Sequence, residues 1–266
     1  MKIGFIGCGN MGGAMIGGIV SAKKAEPSDI LVSDASKELL KKRKEEYGIS
    51  VGSSNKETAS SADILFLAVK PQYYEEVIAD IKDSVKDDTI LVSIAPGKTI
   101  SGLKESSGGK FKKVIRIMPN TPALVGEGMT GMVKSDEVTD EELKTVRDLI
   151  DSFSRTEIVD EKLMDVVTAV SGSSPAYVFM FIEAMADAAV AGGMPRDKAY
   201  VFASQAVLGS AKMVLETKKH PGELKDMVCS PGGTTIQAVR VLEEKGFRSA
   251  VIECMEKCLD VSRSLK

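Results

Sequence analysis

The chain has 266 residues, and its 35 basic and 38 acidic residues leave a net charge of −3. This near balance gives no general attraction to nucleic acid or to an anionic membrane surface. The length allows two domains, each with its own core. Four cysteines without a CxxC pair, and a single histidine, favour reduced thiols in the cytoplasm and give no reason to expect a metal site.

Residues 1–159 alternate short apolar runs with amphipathic ones, which is typical of a parallel sheet with crossover helices. The runs are rich in Ile, Val, Leu and Phe, as expected for strands buried on both faces. The predicted strands are residues 2–6, 30–33, 64–69, 90–94, 113–117 and 128–133. The predicted helices include residues 36–47, 73–85 and 139–153. The pattern therefore predicts an α/β domain.

One predicted helix carries the basic run Lys41-Lys42-Arg43-Lys44, which is followed at once by two glutamates. Mixed charge of this kind is typical of a solvent-exposed helix face. The alternative is that part of the run helps to bind a phosphate. The exposed face is the favoured interpretation.

From residue 160 onward the apolar residues follow helical spacing, and the sequence predicts helices throughout. Pro175 should kink or divide the first of these helices. The apolar segment 176–194 contains Glu183 and Asp187, which would be unfavourable in the middle of a bilayer, so a buried helix is the better interpretation. A helical domain this short would bury its faces poorly alone, and we expect it to pack against a second copy.

A GxGxxG motif, Gly7-Cys8-Gly9-Asn10-Met11-Gly12, follows the first predicted strand and opens a predicted helix. In such a loop the first glycine permits a tight turn, the second lets a pyrophosphate approach, and the third lets helix and strand pack closely. The phosphates then meet free N–H groups at the start of the helix. The motif predicts dinucleotide binding, and the alternative is a glycine-rich turn without a ligand.

Asp34 follows the second predicted strand, about twenty residues after the last glycine of the motif. An acid at this position normally accepts hydrogen bonds from the adenosine ribose and repels a 2′-phosphate, which favours NAD. Ser33, Ser36 and Lys37 could instead bind that phosphate if Asp34 turned away. The sequence leaves the choice between NADP and NAD open.

A second glycine-rich turn, Ser230-Pro231-Gly232-Gly233-Thr234-Thr235, precedes an apolar helical pattern. The N–H groups at such a helix start could seat a small carboxylate. Taken alone, a helix cap without a ligand is the favoured interpretation. His220 lies upstream, before Pro221, where a structural role is favoured over acid–base catalysis.

Several stretches together resemble the pyrroline-5-carboxylate reductase family. They are the glycine motif, residues 170–188, residues 220–226, residues 229–243, Ala68-Val69-Lys70-Pro71 and Arg116-Ile117-Met118-Pro119-Asn120-Thr121-Pro122. The resemblance implies a Rossmann-type dinucleotide-binding domain, residues 1–159, followed by an all-helical substrate-binding and dimerisation domain, residues 160–266. It also implies a homodimer through the C-terminal helices, sometimes built into a ring.

The resemblance further implies hydride transfer from NAD(P)H to 1-pyrroline-5-carboxylate, which gives L-proline in the last step of proline biosynthesis. The cofactor residues that it implies are Ile6, Gly7, Cys8, Gly9, Asn10, Met11, Gly12, Asp34, Asn55, Ala68, Val69, Lys70, Pro71, Ser93, Ile94 and Ala95. The implied substrate residues are Ser230, Gly232, Gly233, Thr234 and Thr235, with Thr235 as the catalytic hydroxyl beside the ring. The family often has a small hydroxyl residue where this chain has Asp34, which leaves the usual NADPH preference open.

Two other functions fit the sequence. A related reductase of another imine, or of a hydroxy or keto acid, would share the glycine motif but should use a lysine or histidine acid to protonate a carbonyl oxygen. A non-catalytic dinucleotide sensor would bind the cofactor and use its helical domain to bind a partner.

Overall fold

The structure is a computed structural model that describes residues 1–264. The chain divides into two compact units. The first unit consists of Met1–Ser173 together with the segment that begins at Cys258, and the second unit is Ser174–Lys257. The second unit therefore begins later than the predicted boundary after residue 159, and the end of the chain returns to the first unit.

An eight-stranded sheet forms the centre of the first unit, in the order β3-β2-β1-β4-β5-β6-β7-β8. Neighbouring strands are parallel except β6 and β7, which are antiparallel. The strands are β1 Ile3–Ile6, β2 Ile30–Ser33, β3 Ser50–Val51, β4 Ile64–Leu67, β5 Ile90–Ser93, β6 Lys113–Met118, β7 Gly128–Lys134 and β8 Ser154–Ile158. The arrangement confirms the predicted Rossmann-type fold and its six predicted strands, with ends that differ by at most two residues.

Two edge strands were not predicted, and each lacks the apolar signal on which the prediction depends. β3 has only two residues. In β8 the buried positions are Ser154 and Thr156, and the hydroxyl of Ser154 lies 2.6 Å from that of Thr130 on β7. Because hydroxyl residues fill the buried face, the pattern does not alternate between apolar and polar.

The helices of the first unit cover both faces of the sheet, so alternate residues of each strand enter opposite cores. On one face Phe5 and Phe66 stack with ring centroids 4.5 Å apart, and on the other Leu65 and Leu67 pack with Tyr74. These helices are α1 Asn10–Ser21, α2 Lys37–Tyr47, α3 Asn55–Ser61, α4 Tyr74–Ile81, α5 Ile100–Ser106, α6 Asp140–Ile150 and α7 Met164–Val167. A cavity remains where strands β1, β2 and β4 end.

The predicted break near Pro175 is confirmed. After α7 the chain forms a π-helical turn, Thr168–Gly172, and helix α8 then runs over Ser174–Ala191. Pro175 is the second residue of α8, where a missing N–H leaves no intrahelical hydrogen bond unmade.

The second unit is helical, as predicted, but its apolar side chains are largely exposed in the single chain. Its helices after α8 are α9 Arg196–Thr217, α10 Pro221–Val228, α11 Thr234–Glu244 and α12 Phe247–Ser264, of which the last continues into the first unit. Phe179, Met180, Val201 and Phe202 are each more than 60% exposed. Within the single chain Ala186 is the one buried residue of α8, and the burial of this helix that the sequence favours stays a prediction.

Among the described residues, one helical stretch is long and apolar enough to cross a bilayer. It spans Glu161–Ala191, and 11% of its apolar window is buried in the chain. Its exposed apolar surface requires a cover that the single chain does not supply.

Candidate functional site

The three glycines of the motif have different surroundings. Gly7 has φ +100°, and a Cβ there would lie 2.5 Å from the Ala68 carbonyl oxygen. A Cβ on Gly12 would lie 2.5 Å from the Gly7 carbonyl oxygen, so the strand and helix pack closely at these two positions. A Cβ on Gly9 would meet no atom of the described chain within 4 Å. The space above Gly9 is therefore open to a ligand.

A cavity of about 470 Å³ lies against this loop, where strands β1, β2 and β4 end. The predicted residues that line it are Ile6, Gly7, Gly9, Asp34, Asn55, Ala68, Val69 and Lys70. Residues from helices α2 and α4, the loop before α2 and the turn before α4, which sequence reasoning missed, complete the lining: Ala35, Leu39, Tyr73, Glu76 and Val77. Tyr73 and Val77 are spaced as core residues of an amphipathic helix, so the sequence carried no signal that they face a cavity.

The other predicted cofactor residues do not line the cavity. Cys8 belongs to the loop itself, Asn10, Met11 and Gly12 form the first turn of α1, and Pro71 opens the turn after Lys70. Ser93 ends β5 next to the end of β4, and Ile94 and Ala95 follow it at the same sheet edge. The structure thus brings the predicted cofactor residues to one edge of the sheet, and eight of the sixteen line the cavity.

The buried Tyr74 fixes the end of β5 to the end of β4. Its hydroxyl donates to the Leu67 carbonyl at 2.7 Å and accepts from the Ser93 hydroxyl at 3.1 Å. Burial raises the pKa of Tyr74 to about 12, so the phenol stays protonated. The Ser93 hydroxyl is therefore held by Tyr74, and this bond fixes the point from which the chain continues into Ile94 and Ala95.

Asp34 uses both carboxylate oxygens to hold the backbone around the cavity. One oxygen accepts from the Cys8 N–H at 2.7 Å and the other from the Ser36 N–H at 2.8 Å. The hydroxyl groups that could have bound a phosphate also have partners, since Ser33 donates to Asn55 and Ser36 accepts from the Leu39 N–H. Asp34 still lines the cavity and contributes a negative charge to it.

Cys8 lies in the middle of the loop but faces the core, where it is fully buried. Burial, followed by the nearby Asp34 carboxylate, raises the pKa of its thiol to about 12. The group remains a neutral thiol at physiological pH, because the thiolate would be desolvated beside another negative charge.

The favoured interpretation of the basic run is wrong for one of its four residues. Lys41, Lys42 and Lys44 are exposed, but the side chain of Arg43 is only 10% exposed. Its guanidinium lies under the glycine motif, where Nε donates to the Cys8 carbonyl at 3.3 Å and Nη2 to the Gly9 carbonyl at 3.4 Å.

The second glycine-rich turn, residues 230–235, belongs to the second unit. The Gly233 N–H donates to the Ser230 carbonyl at 3.0 Å, and Gly232 has φ +68°. Helix α11 begins at Thr234, with Gly233 as its N-cap, and no side chain of the described residues caps it. A helix-capping role for the Thr235 hydroxyl is therefore not seen. Ser230, Gly232 and Thr234 are exposed, whereas Gly233 and Thr235 are half-buried.

His220 has a structural role. Its Nδ1 accepts from the Gly222 N–H at 3.1 Å and caps helix α10. This confirms the favoured interpretation from sequence.

Comparison with known proteins gives consistent matches over the whole chain. Residues 161–265 match a family model described as pyrroline-5-carboxylate reductase dimerisation, and residues 2–97 match one described as NADP oxidoreductase coenzyme F420-dependent. The pyrroline-5-carboxylate reductase of Escherichia coli (strain K12) is 54% identical, with 99% of this chain and 98% of that protein covered. The enzyme of that name from Methanosarcina acetivorans is 42% identical, covering 99% of this chain and 97% of its own.

The fold is also that of a solved structure with cofactor. The Plasmodium falciparum pyrroline carboxylate reductase, crystallised with NADP bound, superposes with a TM-score of 0.91 at 34% identity, covering 100% of this chain and 98% of that one. The glycine loop, the open space above Gly9 and these full-length matches agree. The chain belongs to the pyrroline-5-carboxylate reductase family of NAD(P)H-dependent oxidoreductases.

Proposed function

We propose that this chain reduces 1-pyrroline-5-carboxylate to L-proline, the last step of proline biosynthesis, in the cytoplasm. The proposal rests on the open space above Gly9, in a chain that is 54% identical to a pyrroline-5-carboxylate reductase over nearly its full length. Membership of the family supplies the reaction, and the first unit supplies a site that fits the cofactor.

The cofactor is a nicotinamide dinucleotide, and it supplies the hydride when bound. In our proposal the glycine motif receives its pyrophosphate, because the first N–H groups of α1 have no intrahelical partners. Asp34 and Asn55 lie toward its adenosine half, and Lys70 and Ala95 toward its nicotinamide half. A side chain at Gly9 would occupy the space that the pyrophosphate needs.

In the substrate loop we propose that the backbone N–H groups of residues 232–234, with Ser230, hold the carboxylate. The imine carbon is electrophilic once the ring nitrogen is protonated, so the protein needs no nucleophile. As the hydride adds to this carbon, the π-electron pair of the C=N bond moves to nitrogen, and the Thr235 hydroxyl hydrogen-bonds to that nitrogen. The remaining task is to hold the reactants in contact without water, which can contribute about 7–11 kcal/mol.

We also propose that Asp34 shifts the cofactor preference from NADPH toward NADH. Its carboxylate lines the cavity, and the Ser33 hydroxyl donates to Asn55 within the protein. A 2′-phosphate would bring further negative charge close to Asp34, and the two groups would repel each other. Lys37, three residues after Asp34 in the chain, is the cation that would offset part of this repulsion.

The assembly that we propose is a homodimer through residues 160–266, alone or as the unit of a ring. The exposed apolar residues of α8 and α9 support it, since a partner would remove them from water. The same contact would cover the apolar stretch Glu161–Ala191 without a membrane.

The direct test is oxidation of NADH and of NADPH by the purified protein with 1-pyrroline-5-carboxylate, beside a panel of other cyclic imines and keto acids. We expect turnover with this substrate to exceed that with every other compound. Higher kcat/KM for another imine or a keto acid would support the related-reductase alternative. Binding of the cofactor without turnover of any compound would support the sensor.

A further inference from the structure

We infer that Arg43 is a positioning residue for the dinucleotide loop and that Gly13 provides the space it needs. The inference rests on the proposed cofactor site. Arg43 does not reach the cavity, and it acts on the opposite side of the loop through the carbonyls of Cys8 and Gly9.

The peptide groups at Cys8 are held from two directions. The Cys8 N–H donates to Asp34 at 2.7 Å, and the Cys8 carbonyl accepts from the Arg43 Nε at 3.3 Å. Each bond to Arg43 is long, but both come from one rigid planar group. With these carbonyls held underneath, the N–H groups that follow in the loop remain directed to the phosphate side.

The guanidinium is itself held in place on its remaining sides. Its Nη1 pairs with Glu46 at 2.8 Å, and its carbon lies 5.8 Å from the centre of the Tyr47 ring. A buried guanidinium is stable only when its donors are satisfied in this way. Glu46 and Tyr47 of α2 therefore fix the side chain of Arg43, which belongs to the same helix. Through this side chain α2 holds the loop in position.

Gly13, one residue beyond the motif, explains how so large a group fits. A Cβ at Gly13 would lie 2.4 Å from the guanidinium carbon of Arg43. Any other residue at position 13 would displace the guanidinium, because the far end of the arginine is the part that can move. The two positions form a matched pair across the helix α1–α2 contact.

The test measures binding of ADP-ribose, which carries the pyrophosphate but no reactive nicotinamide, by titration calorimetry. Arg43→Met should weaken binding about tenfold, as expected for the loss of two modest hydrogen bonds and the loop order that they maintain. Hydrogen exchange at the Cys8 amide should become faster in the free protein. With saturating cofactor, kcat and the KM for the imine should stay unchanged. Lys42→Met, an exposed neighbour with the same change in charge, should bind like the wild type.

Gly13→Ala provides a second variant that does not depend on the stability of Arg43→Met. Alanine favours the helix over glycine and so offsets the stability lost when the guanidinium is displaced, and the melting temperature should change little while ADP-ribose binding weakens. The double variant Gly13→Ala/Arg43→Met should bind no more weakly than the weaker single variant, because both remove the same contact. Arg43→Lys keeps the charge without the planar fork and should remain weaker than the wild type.

Wild-type affinity in Arg43→Met, Arg43→Lys or Gly13→Ala would overturn the inference. A parallel loss of kcat and melting temperature in Arg43→Met, without a selective loss of ADP-ribose affinity, would also overturn it. Failure of the wild type to bind ADP-ribose would instead reject the proposed cofactor site.

Discussion

The molecule contains two glycine-rich turns that lead into helices, and the single chain completes only one of them. In the turn at residues 7–12, Gly7 and Gly12 meet backbone atoms, and both Asp34 and Arg43 hold Cys8. In the turn at residues 230–235, a Cβ on Gly232 would meet no described atom within 4 Å, and Ser230 and Thr234 are exposed. Similar loop sequences thus have different surroundings. The first site is built by one chain, and the second unit requires further cover.

The largest effect should come from dissociating the proposed dimer, which removes the second copy of the chain. Phe202 on α9 is 65% exposed in the single chain, and Phe202→Glu would place an unpaired charge in the proposed interface. Because such a charge costs about 3–5 kcal/mol when buried, the dimer dissociation constant should rise at least a hundredfold. Sedimentation velocity at micromolar concentration should then show monomer, with imine reduction lost and ADP-ribose binding kept. Lys212→Glu, an exposed charge change on the same helix, is the control. An active wild-type monomer would contradict the proposal.

Thr235 tests whether the second turn recognises the substrate through a side chain. Thr235→Ala should lower kcat/KM for the imine by about ten- to a hundredfold, because one hydrogen bond to a charged group contributes about 1.5–3 kcal/mol. Thr235→Ser should keep most of the activity, and cofactor binding should be unchanged in both. If Thr235→Ala is fully active, the backbone alone recognises the substrate.

Gly9 and Gly7 test the first turn in different ways. A side chain at Gly9 would meet the proposed ligand, whereas a side chain at Gly7 would meet the protein backbone. Gly9→Val should raise the cofactor KM about tenfold or more without changing the melting temperature, since its Cβ meets no protein atom within 4 Å. Gly7→Val should lower the melting temperature, because Gly7 has φ +100° and its Cβ would meet the Ala68 carbonyl. Unchanged cofactor affinity in a folded Gly9→Val protein would reject the loop assignment.

Asp34 tests whether the cavity discriminates against a 2′-phosphate. Asp34→Ser should raise the ratio of kcat/KM for NADPH to that for NADH about fivefold, which corresponds to the removal of roughly 1 kcal/mol of repulsion. Both cofactors should bind somewhat more weakly, because the Cys8 and Ser36 N–H groups lose their acceptor. An unchanged ratio would show that Asp34 acts only on the backbone.

The smallest expected effect concerns Cys8 and the pH dependence of stability. Its pKa rises on folding from 9.0 to about 12, so the unfolded chain loses this proton at a lower pH. The contribution of Cys8 to stability is therefore complete below pH 9 and decreases as the pH rises from 9 toward 12. At pH 9.5 the decrease should be about 0.8 kcal/mol. Urea unfolding of Cys8→Ala should show a shallower loss over this range, and identical slopes would contradict the assignment.

The sequence predicted what depends on periodicity and on local turn chemistry. Apolar runs located the long strands, and the GxGxxG spacing located the glycine loop that borders the cavity. It could not predict β8, whose buried Ser154 and Thr156 are polar. Helical periodicity places Arg43 on the same face of α2 as Leu40, three residues earlier. The positive charge of Arg43 nevertheless favoured the prediction that its side chain is exposed to solvent. The space that Gly13 leaves for it exists only once two helices pack.

The site residues divide in the same way. Tyr73 and Val77 line the cavity because the turn after Lys70 directs α4 toward the sheet edge, and no local pattern encodes that direction. The bonds of Asp34 to two backbone N–H groups likewise depend on how the loop and β2 meet. Motifs identify the atoms that approach a ligand, whereas the residues that hold those atoms come from packing.

The return of the C-terminal segment to the first unit has a consequence for synthesis on the ribosome. The buried Ser262 hydroxyl donates to Asp165 at 3.0 Å, and Cys258 contacts Ser173, so the first unit includes residues from the last turns of α12. Translation proceeds from the N-terminus, and domains generally fold in that order. Here the nucleotide-binding half emerges first but receives its last packing partners only when the whole helical half has been translated. A nascent chain that ends at Lys257 therefore contains the whole second unit but still lacks part of the first.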